Sequence, residues 1–282
     1  MAFRRLLAIA TICLFGGGPG SPQIFTPVGE WIEICSGVRY VTERVAAGTE
    51  GGGLLHIVQV DLSTPGIEVF VTPLDLQAVQ SGWEYRLAYV SSVVREQHLV
   101  VAVNASLFTS RSLGYVQLPG DMARSVETVV AEHVVNHLWE HSYLLAFDDR
   151  LTPWFTLSKP PPAVDLARAR WAIGGQAIDL REGRVRIGSA MPDARTAVAL
   201  DQVGRRLFLA VAENISPHLL LAKLAERGGW TGMMLDGGHS STLVVGPEAR
   251  GLRSGTLVGG WRPVATIFGI RARPLHPKLH DE

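Results

Sequence analysis

The stretch Arg195-Thr-Ala-Val-Ala-Leu-Asp201, Gln202-Val-Gly204, Arg205-Arg-Leu-Phe-Leu-Ala-Val-Ala212 decides the fold class. Two runs of small, branched and aromatic apolar residues flank Gln202-Val-Gly204, with Asp201 and Arg205 at the bend. Runs of this length and make-up are strand-like, and glycine in the connection supplies a tight reversal. The segment therefore reads as an antiparallel hairpin. Outward from it, the same criteria predict strands at Leu54–Leu62, Gly66–Thr72, Leu99–Val103, Ser142–Phe147, Ala172–Ile178, Met233–Leu235 and Val264–Ile270. One helix follows the hairpin directly. Ser216 is a good N-cap and Pro217 suits the first helical position. Leu220 and Leu224 share a face, Arg227 suits the C-terminal dipole, and Gly228-Gly229 supplies the stop. A second helix is predicted over Tyr85–Gln97. Many strands and few helices, without regular alternation, give an α+β fold. We expect a mixed, largely antiparallel sheet with a few packed helices in a single domain. Lys159-Pro-Pro-Pro162 reads as a stiff loop rather than a boundary, because the candidate site below draws residues from both sides of it.

The start of the chain has a different character. Arg4-Arg5 is basic, Leu6 to Phe15 is an apolar run, and Gly16-Gly-Gly-Pro-Gly-Ser21 follows. That order reads as a secretory signal, and the apolar run is too short to span a bilayer as a helix. The expected organisation is a signal peptide at 1–20, an N-terminal extension at 21–50, the main domain at 51–273 and a tail at 274–282. The expected location is secreted or periplasmic, without stable membrane insertion. Cys13 lies in the signal, so Cys35 is the one cysteine of the mature chain and no intramolecular disulfide can form. Cys35 follows an apolar run and reads as a buried small hydrophobe. Hydrophobic residues make up 47% and charged residues 18% of 282 residues, enough for a sizeable core. Lys plus Arg equals Asp plus Glu, 26 against 26, so no bulk charge calls for nucleic acid or an anionic surface.

Chemistry concentrates at strand ends. Met233-Met-Leu235 runs into Asp236-Gly-Gly238, where two glycines allow a sharp turn and close approach of a ligand. The plain alternative is an Asp-Gly turn whose carboxylate caps backbone amides. Leu99–Val103 ends at Asn104. Arg195-Thr196 opens the strand to Leu200, and Arg262-Pro263 opens the strand Val264–Ile270. Between antiparallel neighbours, the start of one strand lies beside the end of the next. Asn104, Asp236, Arg195 and Arg262 can therefore meet at one edge. An aspartate, an asparagine and two guanidinium groups suit a sugar phosphate, because guanidinium grips phosphate oxygens bidentately. For each arginine the alternative is an ordinary ion pair.

Arg195-Thr-Ala-Val-Ala-Leu-Asp201, Gly204-Arg-Arg-Leu-Phe-Leu-Ala-Val211, Met234-Leu-Asp-Gly-Gly-His-Ser-Ser-Thr-Leu243 and Arg262-Pro-Val-Ala265 together resemble the phosphodiester glycosidase family. The resemblance is strong over Ala172–Ile270. Over residues 50–150 it is weaker, and rests on Val103-Asn-Ala-Ser106. It implies a hydrolase that cleaves a sugar-1-phosphodiester linkage in a glycan or cell-envelope polymer. Carried over residue by residue, it implies Asp236, Arg195 and Arg262 as catalytic, with Asn104, Thr196, Gly237, Gly238, Ser240 and Ser241 at the substrate. His239 stands where the family commonly has a third glycine, and is counted among the substrate contacts. Ala105-Ser106 stands where a glycine is usual beside Asn104. A glycan or sugar phosphate is the implied substrate, and no cofactor is called for.

Three rival readings come from other residues. His137-Leu-Trp-Glu-His141 matches the H-x-x-E-H spelling of a zinc peptidase, and on a helix His133, His137 and His141 would share a face. A divalent metal therefore stays open, with His133, His137 and His141 as its weak alternative ligands around Glu140. The β-branched neighbours Val129, Val130, Val134 and Val135 favour strand instead, which would leave surface histidines on an insertion. A serine hydrolase lacks its G-x-S-x-G elbow here, because Gly238-His-Ser240 is followed by Ser241-Thr242. Gly16–Gly18 and Gly51–Gly53 lack the Gly-Lys-Ser/Thr of a phosphate loop. The third rival is a non-catalytic carbohydrate-binding protein on the same scaffold.

Overall fold

The computed structural model of the protein describes residues 29–112, 116–188 and 190–275. The expected signal peptide at 1–20 lies outside the described residues, as do 21–28 of the extension and 276–282 of the tail. The predicted hairpin is present. Asp193–Leu200 and Arg206–Ile215 pair antiparallel, with Val198 opposite Leu209. Asp201 makes the bend: its Oδ1 accepts the amides of Arg205 and Arg206, and Gly204 takes a φ of +70°.

This hairpin is the centre of an eight-stranded sheet. Its order is Ile32–Cys35, Val38–Gly48, Gly51–Asp61, Arg206–Ile215, Asp193–Leu200, Thr231–Met234, Leu180–Arg181, Arg184–Val185. A five-stranded sheet runs Val134–Val135, Val130–Ala131, Trp171–Gly175, Tyr143–Phe147, Pro153–Phe155. Another runs Gly255–Val258, Leu243–Val245, Val101–Asn104, Ile267–Arg271, Glu68–Val71. Tyr85–Arg86, Met122–Ser125 and Phe108–Ser110 form a small fourth sheet. Every strand pairing among the described residues is antiparallel.

One apolar core joins the three large sheets. Val58, Val198 and Leu209 of the first, Leu145 and Ile173 of the second, and Val101 and Phe268 of the third belong to the same buried cluster. Phe147 and Phe268 stack across two sheets at 5.8 Å. Each such side chain contributes roughly 1.5–3 kcal/mol relative to exposure. The opposite face of the central hairpin is covered by the helix Pro217–Glu226, whose Leu220, Leu221 and Leu224 pack on Ala197, Ala199, Phe208 and Ala210. Burial on both faces explains why the hairpin strands read as unbroken apolar runs instead of alternating ones. The helix has the expected ends: Ser216 Oγ accepts the Leu219 amide, and Gly228 leaves at φ +99°.

Two expectations need correction. The extension at 21–50 is not separate from the sheet beyond Ile32, because Val38–Val45 pairs in register with Gly53–Val60. The helix predicted over Tyr85–Gln97 is confined to Val90–Glu96. Its first residues are claimed by strands: Tyr85 and Arg86 pair with Ala123 and Met122, and Ala88 bridges to Val264. That bridge also delays the last strand, which starts at Ile267 instead of Val264. The histidine-rich segment begins as strand and turn, as its β-branched residues favour, and not as helix. Val130–Ala131 and Val134–Val135 form a tiny hairpin, with Glu132 and His133 turning at φ +50° and +65°. Among the described residues, no helix is long and apolar enough to cross a membrane.

Candidate active site

The site lies where the eight-stranded sheet meets the sheet containing Asn104. Thr231–Met234 pairs with the hairpin strand so that Ala197 faces Met234 and the Leu235 amide donates to Thr196 O. One residue on, the chain changes sheets: the Asp236 amide donates to Ala105 O at 3.0 Å. The start of Asp193–Leu200 and the end of Val101–Asn104 thus converge on Asp236, as antiparallel neighbours must.

Asn104 is the brace beneath this crossing. It is fully buried, at 0% exposure. Its Oδ1 accepts from the Thr196 hydroxyl at 2.7 Å and the Thr242 amide at 3.0 Å, and its Nδ2 donates to Asp236 O at 2.6 Å. A backbone donor on one side and a backbone acceptor on the other fix which amide atom is oxygen. Asn104 and Thr196 therefore hold the Asp236 backbone from behind. Their polar atoms are spent on protein partners.

Asp236 itself is partly exposed. Burial pushes its carboxyl above the usual range, while the Arg262 charge and the Gly237 amide pull it back. Ser240 and Ser241 are buried on the short 3-10 turn after it, and neither hydroxyl meets hydrogen-bond geometry, although the Ser240 hydroxyl lies close enough to favour the Asp236 anion. His239 is exposed on the same turn. A Cβ on Gly237 would fit tightly, 3.2 Å from Arg195 Nη1 and 3.3 Å from Ala194 O. Arg195 is thus packed across the Asp236-Gly237 backbone, and its Nη2 donates to Met191 O at 3.2 Å. Arg262 approaches from the opposite sheet. Its Nε donates to Gln117 Oε1 at 2.5 Å, and its guanidinium lies 4.9 Å from the Phe108 ring centre. The loop carrying Arg262 is tied to the Ser240–Thr242 turn. Gly260 donates to Thr242 Oγ1 at 3.0 Å, and a Cβ on Gly259 would sit 1.8 Å from Ser241 O.

Of the predicted site residues, the structure brings Asp236, Arg195, Arg262, Gly237, Gly238, Ser240 and Ser241 together and puts Asn104 and Thr196 below them. Sequence reasoning missed two neighbours. Trp261, beside Arg262, is 83% exposed. Glu127 is 1% exposed, with Oε2 accepting the Leu107 amide at 3.2 Å and Oε1 buried without a protein partner. Burial pushes its carboxyl up to about 8, and the Asp236 charge adds to the rise. A lone carboxylate in Ser125-Val-Glu-Thr-Val-Val130 was the available signal, since a buried charge in an apolar run demands a reason. Glu127 therefore keeps its proton to higher pH than an exposed glutamate.

His133, His137 and His141 do not form the face a helix would give them. His133 bonds Asp149 at 3.1 Å, and His137 packs edge-on against Trp139 at 4.9 Å. Among the described residues no three His, Cys, Asp or Glu side chains are grouped to hold a metal ion. Cys35 is buried, and burial raises its thiol to about 11, where it is inert as a nucleophile.

A family model described as phosphodiester glycosidase matches residues 97–271. No curated protein sequence matches the chain. Solved structures share its fold at low identity. The zebrafish N-acetylglucosamine-1-phosphodiester alpha-N-acetylglucosaminidase catalytic domain, auto-inhibited by its pro-peptide, aligns with a TM-score of 0.58 at 16% identity over 86% of this chain and 87% of that one. A hypothetical protein from Synechocystis aligns at 0.59 and 15% identity, over 84% of this chain and 62% of that one. A protein from Burkholderia pseudomallei K96243, described as exported, aligns at 0.54 and 12% identity, over 78% and 74%.

Proposed function

We propose that this chain, which belongs to the phosphodiester glycosidase family, is an exported single-domain hydrolase that cleaves a sugar-1-phosphodiester linkage in a glycan or cell-envelope polymer. The observation that carries the reading is Asp236, a carboxylate fixed at a sheet crossing with Arg195 and Arg262 beside it. By its name, the zebrafish relative of the same fold acts on an N-acetylglucosamine-1-phosphodiester. A related linkage is the substrate class we assign here. The shared core across three sheets supports one domain, and the basic-then-apolar start at Arg4–Phe15 supports export to the periplasm or medium.

The chemistry follows from the leaving group. Ordinary glycosidases use one carboxyl group to protonate a poor alkoxide. Breaking the sugar C–O bond of a phosphodiester instead releases a phosphate monoester, which departs readily. Two guanidinium groups stabilise the charge gathering on its oxygens. Asp236 then attacks the anomeric carbon, stabilises it or activates water. Ser240 and Ser241 line the turn under the sugar, and His239 stands at its exposed edge.

Purified protein should release phosphate monoester from a panel of glycosyl phosphodiesters. In isotopically labelled water, the label should enter the sugar. Label in the phosphate means attack at phosphorus and overturns this mechanism. Asp236→Asn should lower turnover on the order of a thousandfold, about 4 kcal/mol of barrier, with an unchanged fold. Wild-type rates in that variant remove Asp236 from the reaction.

A further inference from the structure

Away from Asp236, a cavity of about 320 Å³ opens between residues 74–84 and the loop 136–139. That volume is at the lower end of the roughly 300–1,000 Å³ range of small-ligand clefts. Its walls are chemically specific. Glu84 is buried, and its Oε2 is held by the Ser125 amide at 3.0 Å and Asn136 Nδ2 at 3.1 Å. Oε1 has only the long 3.8 Å approach of Arg124 Nε, beyond hydrogen-bond reach, and keeps accepting capacity. Arg124 is anchored to Gly82 O at 2.5 Å, with its guanidinium 5.7 Å from the Trp83 ring centre. Trp139 is pinned at two points: its indole N–H donates to Ser125 O at 3.1 Å and its amide to Thr128 Oγ1 at 2.8 Å. Its polar edge is spent, which leaves the ring as wall. His137 closes the rim against that ring.

Charge decides the class of occupant. One carboxylate and one guanidinium line the cavity side by side, so an anion or a cation would each meet a like charge. A neutral polyhydroxylated ring has neither problem. Its hydroxyls donate to the Glu84 carboxylate and accept from Arg124, and its C–H face covers an indole. We propose that this cavity is a second carbohydrate site, taking a neutral pyranose ring of a glycan, with Trp83, Trp139, Glu84, Arg124 and His137 as its contacts. None of these residues belongs to the Asp236 group. The two places are connected through one segment: Ser125 braces Glu84 and Trp139, and two residues later Glu127 senses the Asp236 charge. Binding here does not depend on catalysis at Asp236.

The test uses the intact protein with maltotriose, cellotriose and chitotriose, which carry no phosphodiester. Saturation-transfer NMR at millimolar sugar should detect binding of at least one. Trp83→Ala and His137→Ala should each weaken it by roughly tenfold. Thermal melting checks that both variants fold, and exposed His137 is the gentler change. Both variants should keep wild-type turnover of a small glycosyl phosphodiester. The proposal is overturned if the folded wild type binds none of the three sugars. It is also overturned if both variants bind as the wild type does, or if choline or inorganic phosphate competes for the site more strongly than the sugars.

Discussion

The side chain of Asn104 shows how one residue can govern a site without touching a ligand. Its three hydrogen bonds join a strand of each sheet to the turn after Asp236. Asn104→Ala leaves a hydroxyl, an amide and a carbonyl unpaired in the interior. The expected loss is roughly 2–4 kcal/mol of stability, read from urea unfolding, together with a fall in kcat larger than any change in KM. Equal stability would show that the three groups find other partners. The sequence marked Asn104 through its position at a strand end but assigned it to the substrate, because the direction of a side chain at a strand end depends on the pleat and on what packs above it. The arginines were marked by residue type alone, and the structure sets Arg195 against Gly237 and Arg262 near enough to influence Asp236. Arg262→Lys keeps charge but loses the guanidinium face on Phe108, the bond to Gln117 and the fork that the proposed mechanism gives to phosphate. We expect turnover to drop about a hundredfold, with little change in melting temperature. Trp261 had no readable role, being a single aromatic in a glycine-rich loop. Exposed beside Arg262, its ring is free to stack on a sugar in the proposed reaction, and Trp261→Ala should then raise KM by roughly tenfold while kcat holds.

At the scale of elements, the active loop is a set of short segments locked by close backbone approach. Gly259 takes a φ of +66°, and a methyl group there would collide with Ser241 O. Gly259→Ala should therefore displace the loop that carries Arg262 from the Ser240–Thr242 turn. The expected result is near-complete loss of phosphodiester turnover with the sheets still folded, measurable as lost activity beside a retained far-ultraviolet circular dichroism spectrum. The glycine was invisible as a constraint in the sequence, where Val258-Gly-Gly-Trp261 reads as any flexible loop. Elements whose own residues carry the signal fared better. The helix after Ser216 has its cap, its apolar face and its glycine stop within a dozen residues, so local chemistry suffices. The helix expected from Tyr85 lost its first turn to pairing with Met122–Ala123 and Val264, partners far away in the chain. Long-range hydrogen bonds override local propensity wherever they satisfy the backbone first. The same reason hid the role of Ile32–Gly48, which reads as an extension until Gly51–Asp61 pairs with it.

For the molecule as a whole, the balance of 26 basic and 26 acidic residues leaves little net field, so pH acts through a few buried groups. Glu127 is the strongest of these near the site. Burial holds its proton in the folded state up to about 8, with the Asp236 charge reinforcing the effect. In the unfolded chain the same carboxyl releases its proton near the ordinary value of 4.5. Between those values the folded protein binds more protons than the unfolded one, so stability falls as pH rises. The stabilisation is fully present below about 4.5 and is lost as pH climbs through about 8. Its size is on the order of a few kcal/mol, and Asp236, also raised by burial, acts in the same direction. Glu127→Gln keeps the shape and removes the titration. Urea unfolding of both proteins at several pH values between roughly 5 and 9 separates this group from all others. The wild type should lose stability relative to the Gln variant across that interval, most steeply between the two pKa values and levelling off above about 8. An Asp236→Asn background should shrink the difference, because the like charge that raises Glu127 is then gone. Parallel curves for wild type and Glu127→Gln would mean that Glu127 ionises as freely in the fold as out of it, and the three sheets would then enclose no proton-holding carboxyl beside Asp236.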